Sequence, residues 1–197
     1  DLLTIEQTFA RLNDNVRGGV TVITHGFQFG DDRGDSLMEL AQAIRNRPGV
    51  GKESWLVDYD VPGTGQMGGF EITAAPSGDG QLVVLFDWAA ESNELSSGWG
   101  EAAGNALFNI LIGLGAVVPE APTGQKLPFG PLHFIGHSFG TAVTSEAVER
   151  LAAFDVPVDH LTYLDPHDFE QPPLAFDSAQ RLFTLGKPDG YGAVVWD

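Results

Sequence analysis

The chain has 197 residues and no cysteine, which excludes a disulfide framework, a thiolate metal centre and a cysteine nucleophile. Positive charge is scarce too. Ten Lys and Arg stand against 27 Asp and Glu, for a formal net charge of -17 and a pI of about 4.3. No basic run occurs, and phosphate backbones or anionic membrane surfaces demand clustered Lys and Arg. Nucleic acid is therefore not an expected partner. Long apolar runs are also missing: residues 110–118, the most apolar stretch, include Gly113 and Gly115 and fall far short of a membrane span. The opening Asp1-Leu2-Leu3-Thr4-Ile5-Glu6 lacks the charged and apolar regions of a signal peptide. A secreted bacterial protein whose leader has been cleaved is the favoured localisation.

What is present fits one soluble domain over 1–197, large enough to bury a core. Hydrophobic residues make up 43% of the chain and the mean hydropathy is -0.03. The acidity reads as a solubility device. Oligomeric state is left open.

Along the chain, short apolar β-branched runs alternate with helical periodicity. Residues 4–17 suit an amphipathic helix or an irregular entry segment. Residues 19–24 read as a strand buried on both faces. Ser36 with Glu39 makes a capping-box pattern, after which Leu37, Leu40, Ala41 and Ile44 recur at helical spacing until Pro48-Gly49. Strands are predicted at 55–59, 70–74, 82–86, 132–135 and 161–164, and helices at 101–115 and 141–154. Residues 62–80, rich in glycine, read as a β-hairpin inserted before the sheet resumes. The pattern predicts an α/β fold: a mainly parallel sheet with helices on both faces.

The sharpest chemical signal is Gly136-His137-Ser138-Phe139-Gly140, placed where a strand meets a helix. Such a turn raises the Ser138 hydroxyl above the sheet, and glycines at 136 and 140 relieve crowding against neighbouring elements. The helix N-terminus offers N–H groups and positive dipole to a developing oxyanion. His25-Gly26-Phe27 also follows a buried strand, so the amides of Phe27 and Phe139 are the expected oxyanion donors. His25 reads as a loop anchor rather than a base. Asp165 ends strand 161–164, where a carboxylate can orient an imidazole; Asp168 is its competitor.

Together, His25-Gly26-Phe27, Phe86-Asp87-Trp88, the 136–140 elbow and Leu164-Asp165-Pro166 resemble the lipase family that includes pancreatic lipase. The similarity covers roughly residues 20–170, in order. It implies the α/β-hydrolase fold, Ser138 as nucleophile, Asp165 as triad acid and Phe27 and Phe139 in the oxyanion hole, with Asp87-Trp88 structural at a strand end. Phe139 replaces the family's usual leucine, the cysteines are absent, and the 62–80 segment is extra.

The resemblance also requires a histidine well beyond the acid, and the only later one is His167, two residues on. To serve as base it must reach Ser138 while pairing with Asp165. His160 is expected at the opposite end of the sheet, and His133 as a satisfied core residue. Residues 193–197 read as a strand cut off before a histidine loop, so C-terminal truncation is the preferred account. The expected activity is a serine esterase or lipase acting on a small-molecule or lipid ester through an acyl-enzyme. The alternative is a lipase-like ligand-binding module with an incomplete triad. No cofactor is expected; Asp31, Asp32 and Asp35 form an acidic loop without EF-hand spacing, better read as solvated than as a calcium site. Phe27, Phe29, Phe139 and Phe169 read as an apolar acyl pocket or, equally, as core.

Overall fold

A computed structural model of the chain describes residues 3–12, 16–28, 35–47, 55–60, 69–74, 80–92, 98–117, 129–167 and 193–196. The element order is α1 (Ile5–Leu12), β1 (Val16–Thr24), α2 (Ser36–Arg45), β2 (Trp55–Asp60), β3 (Gly69–Ala74), β4 (Gly80–Asp87) and α3 (Ala89–Ser92). It continues with α4 (Trp99–Gly113), β5 (Leu132–His137), α5 (Gly140–Ala153), β6 (His160–Leu164) and β7 (Ala193–Trp196). The seven strands form one sheet in the order β3-β2-β4-β1-β5-β6-β7. Every neighbouring pair is parallel except β2 and β3.

The central strands explain the two-layer cover. Side chains alternate across a strand, and along β4 Leu82, Val84 and Phe86 join one apolar cluster while Val83 and Leu85 join another. The larger cluster includes Leu107 and Leu111 of α4, Val143, Ala147 and Leu151 of α5, and Leu12 of α1. The smaller one is closed by Leu37 and Ala41 of α2. β1 and β5 make the same split, with Val22 and Phe134 in the large cluster and Ile23 and Ile135 in the small one. A strand buried on both faces has no polar alternation, which is why these runs read as continuously apolar.

Several expectations shift. The entry helix ends at Leu12, and Val16 already belongs to β1, where it pairs with Gly80 of β4. Val16 is β-branched, a shape that loses side-chain freedom in a helix and packs well on a pleated sheet. Ser36 is the first residue of α2 and Asp35 its N-cap, with no side-chain cap bond; the expected Ser36–Glu39 box is not formed, and Glu39 N–H instead donates to the Asp35 carbonyl at 2.9 Å. β3 pairs antiparallel with β2, Tyr59 opposite Phe70. The rest of the predicted 62–80 hairpin, residues 62–68 and 75–79, lies outside the described residues. The free edge of β3 is met by Leu3, whose N–H and carbonyl exchange bonds with Phe70 at 2.8 and 3.0 Å. Between α5 and β6, the hydroxyls of Ser145 and Tyr163 are hydrogen-bonded in the core. Burial pushes the Tyr163 phenol well above its usual range.

Candidate active site at the C-terminal edge of the sheet

β1 and β5 are adjacent and in register, Thr24 beside Gly136, so the loops that leave their C-terminal ends meet. β5 runs through His137 and α5 starts at Gly140, which leaves Ser138 and Phe139 as the whole turn. Ser138 sits at φ 53, left-handed backbone that costs a non-glycine residue on the order of 1 kcal/mol or more. Its surroundings hold it there: Ser138 N–H donates to the Leu164 carbonyl at 2.9 Å, and its own carbonyl accepts from Thr141 N–H at 3.0 Å. The Thr141 hydroxyl adds a 2.7 Å bond to the same carbonyl.

Both elbow glycines are required by close approach. A Cβ on Gly140 would lie 2.4 Å from the His25 carbonyl oxygen, and one on Gly136 would lie 2.7 Å from both the Gly140 carbonyl oxygen and the Thr144 hydroxyl. Gly26 meets the elbow from the other side, where a Cβ would fall 2.6 Å from the Ser138 Cβ and 2.8 Å from the Phe139 nitrogen. The 25–28 loop therefore lies directly on the Ser138 turn, and Phe139 is the N-cap of α5, beside backbone N–H groups that lack intrahelical acceptors.

The same loop is held by a buried polar cluster. His25 is 1% exposed; its Nδ1 donates to the Gly26 carbonyl at 2.7 Å. Its Nε2 faces Asp87 Oδ1 at 3.0 Å and the Trp88 amide at 3.1 Å. A neutral ring accepts the Trp88 N–H there, whereas a protonated ring donates to Asp87. Asp87 Oδ1 also accepts from Ala89 N–H at 2.9 Å. The Trp88 indole N–H donates to the His25 carbonyl at 2.9 Å, and the two rings stack at 5.8 Å. Further along, Gln28 N–H donates to the Ser92 hydroxyl at 3.1 Å. Sequence reasoning placed Asp87-Trp88 at a strand end but missed both Asp87 as partner of His25 and Ser92 as anchor of the loop. The signal for the first was the equal position of the two motifs: each follows the end of one of two neighbouring strands, Thr24 beside Phe86.

Asp165, at φ 46, is exposed just after β6. His167 is also exposed, and its N–H donates to the Ser138 carbonyl at 3.3 Å, which brings the 165–167 turn against the elbow. His160 begins β6 and His133 stands near the start of β5, at the far end of the sheet from Ser138. Phe27 is half-buried beside the elbow. Phe139 is 1% exposed and packs its ring on Trp88 at 5.5 Å, so it is core and does not line an acyl pocket. Asp31, Asp32, Phe29, Asp168 and Phe169 lie outside the described residues, and Asp35 is the N-cap of α2.

No family model matches the chain, and no curated protein does. Among solved structures, the chain is similar to a candidate cell surface hydrolase from Lactobacillus plantarum WCFS1, with a TM-score of 0.54 and 14% sequence identity. That match covers 91% of this chain and 66% of the other. A product of gene lin2722 from Listeria innocua matches at a TM-score of 0.45 and 16% identity, over 76% of this chain and 51% of that one. The chain thus spans about two thirds or less of either neighbour. The parallel sheet covered on both faces, the strained serine turn between β5 and α5, and the first of these likenesses agree on one architecture: the chain has the α/β-hydrolase fold.

Proposed function

We propose that the protein is a serine carboxylic-ester hydrolase related to the lipases, with Ser138 as nucleophile. The observation that carries this reading is the left-handed Ser138 turn with Gly26 packed against it. A serine is held in a costly conformation at a point where a helix N-terminus and a second backbone loop converge. A strained, over-determined residue at such a place is a functional signature.

In the reaction, Ser138 Oγ attacks the ester carbonyl carbon and the carbonyl oxygen takes up the electron pair. The amides of Phe139 and Phe27 stabilise that oxyanion, and their placement in advance is the main source of rate. The C–O bond to the alcohol breaks, a base returns the serine proton to the leaving alkoxide, and water then releases the acyl group by the reverse sequence. Asp165 orients the base. His167, bonded through its backbone to the Ser138 carbonyl, is the histidine to test first. Secretion from a bacterial cell belongs to the same proposal. The structural neighbour is described as a cell surface protein, and no described helix is long and apolar enough to cross a membrane.

A fluorophosphonate probe should label the protein at Ser138, and Ser138→Ala should lose both labelling and nitrophenyl-ester hydrolysis, the latter by on the order of 10⁴-fold or more. An unlabelled, folded full-length protein would overturn the esterase and leave the ligand-binding module. A nitrophenyl ester series from short to long acyl chains separates esterase from lipase. His167→Ala separates an internal base from one supplied elsewhere.

A further inference from the structure

We propose that the N-terminal edge of the sheet, opposite Ser138, carries a binding site for a small carboxylate. The cavity there has a volume of about 250 Å³, which suits an acid of a few carbons rather than a drug-sized ligand. Gly18 and Gly19 of β1 form part of its wall, where an added Cβ on Gly19 would lie 2.9 Å from the Pro131 carbonyl oxygen. Val20, Ile44 and Leu132 supply an apolar lining, while Arg47, His133, Asp159 and His160 are the ionisable groups around it.

The two histidines of the lining differ in what they can offer a ligand. His133 and His160 are register partners on adjacent strands, with ring centroids 4.5 Å apart. His133 is already engaged, its Nε2 at 2.9 Å from the Thr162 hydroxyl. Burial, with repulsion from His160 second, pushes its pKa down to about 4, so it is neutral at pH 7. By contrast, His160 Nε2 is buried and has no hydrogen-bond partner, a condition that buried polar atoms rarely keep without a ligand or water.

Arg47 adds a permanent cation at the rim. In a chain with 10 basic against 27 acidic residues, Arg47 and Asp159 leave this cavity without the chain's excess of negative charge. Asp159 opposes Arg47 with a negative charge, its Oδ2 held by the Leu132 N–H at 2.8 Å. A carboxylate oxygen would take the Arg47 guanidinium and the His160 Nε2–H as donors, with its short alkyl tail against Val20, Ile44 and Leu132. The Asp159 carboxylate favours a monoanion over a phosphate dianion at the same place.

The site is independent of the chemistry at Ser138 and is tested without an activity assay. The full chain is titrated with sodium butyrate at pH 7 and fixed ionic strength, and amide and imidazole NMR shifts are followed, with inorganic phosphate in a parallel series. Saturable butyrate shifts are expected at Gly19, Gln81, Leu132 and His160 and not at the elbow. Arg47→Gln, an exposed position that should fold normally, is expected to weaken binding about tenfold or more. Ser138→Ala is expected to bind as the parent does. Lack of saturable butyrate shifts, an affinity unchanged by Arg47→Gln, or phosphate binding as tightly as butyrate would each overturn the proposal.

Discussion

β1 and β5 run side by side, yet their two ends are filled in opposite ways. At the C-terminal end, backbone presses on backbone until a single added methyl group at Gly26, Gly136 or Gly140 would fall 2.4 to 2.7 Å from its nearest neighbour. At the N-terminal end, the same strands stay paired but help to line a cavity of about 250 Å³. The first end gains fixed geometry from contact, as a preorganised oxyanion site needs. The second keeps room and an unused imidazole nitrogen. One sheet thus offers a rigid end suited to stabilising a transition state and an open end suited to holding a ligand.

The sharpest way to break this contrast is to loosen the crowded end. His25→Ala would remove the partner of Asp87, the Trp88 amide and the Gly26 carbonyl at once, and should cost about 3–5 kcal/mol in urea unfolding. Gly140→Ala should cost about 3 kcal/mol, because its methyl group meets the fixed His25 carbonyl rather than a yielding side chain. On the proposed function, turnover and fluorophosphonate labelling should fall with it, since the contact joins the helix after Ser138 to the 25–28 loop.

The open end answers to acid instead. His133 titrates near 4 when folded and at its ordinary 6.5 when unfolded, so the unfolded chain binds the extra proton between those values. Its contribution to stability is full above about pH 6.5 and is lost as pH falls toward 4. A thermal-melting series over that window should flatten in His133→Gln. His160, Asp159, Thr162 and Arg47 surround the ring and are left intact in that variant.

The smallest effect belongs to neither end. Arg150→Ala breaks the 2.7 Å i,i+4 pair with Glu146 on α5. It should change stability by only about 0.5 kcal/mol, because the Arg150 side chain is still 39% exposed and the pair is screened by solvent. A larger loss would mean that the crowded region extends down the helix.

The two ends also differ in how far the sequence reveals them. The elbow was legible because its glycines answer a local demand: strand 132–135, five residues and a helix suffice to place Ser138 at the turn. The doubly buried strands were legible for the same kind of reason, a continuous apolar run such as residues 82–86. The start of β1 was not, since Val16 leaves helical periodicity only through pairing with β4. Nor did the Ser36–Glu39 pattern form its box, because α2 begins at Ser36 itself, with Asp35 as N-cap. His133 and His160 stand 27 residues apart and become neighbours only through the register of β5 with β6. No spacing rule within one segment could have joined them. The His25–Asp87 contact is hidden in the same way, across the register of β1 and β4.

The Leu3–Phe70 bridge has a consequence for the company this protein keeps. β3 is the only antiparallel strand among those described and lies at the margin of the sheet, where unpaired amides invite a strand from another molecule. By exchanging both of its backbone bonds with Phe70, Leu3 occupies that margin at the point where Phe70 enters the core. Leu3, just ahead of α1, thereby acts as a stitch in the selvedge, closing that point of the margin against unwanted extension.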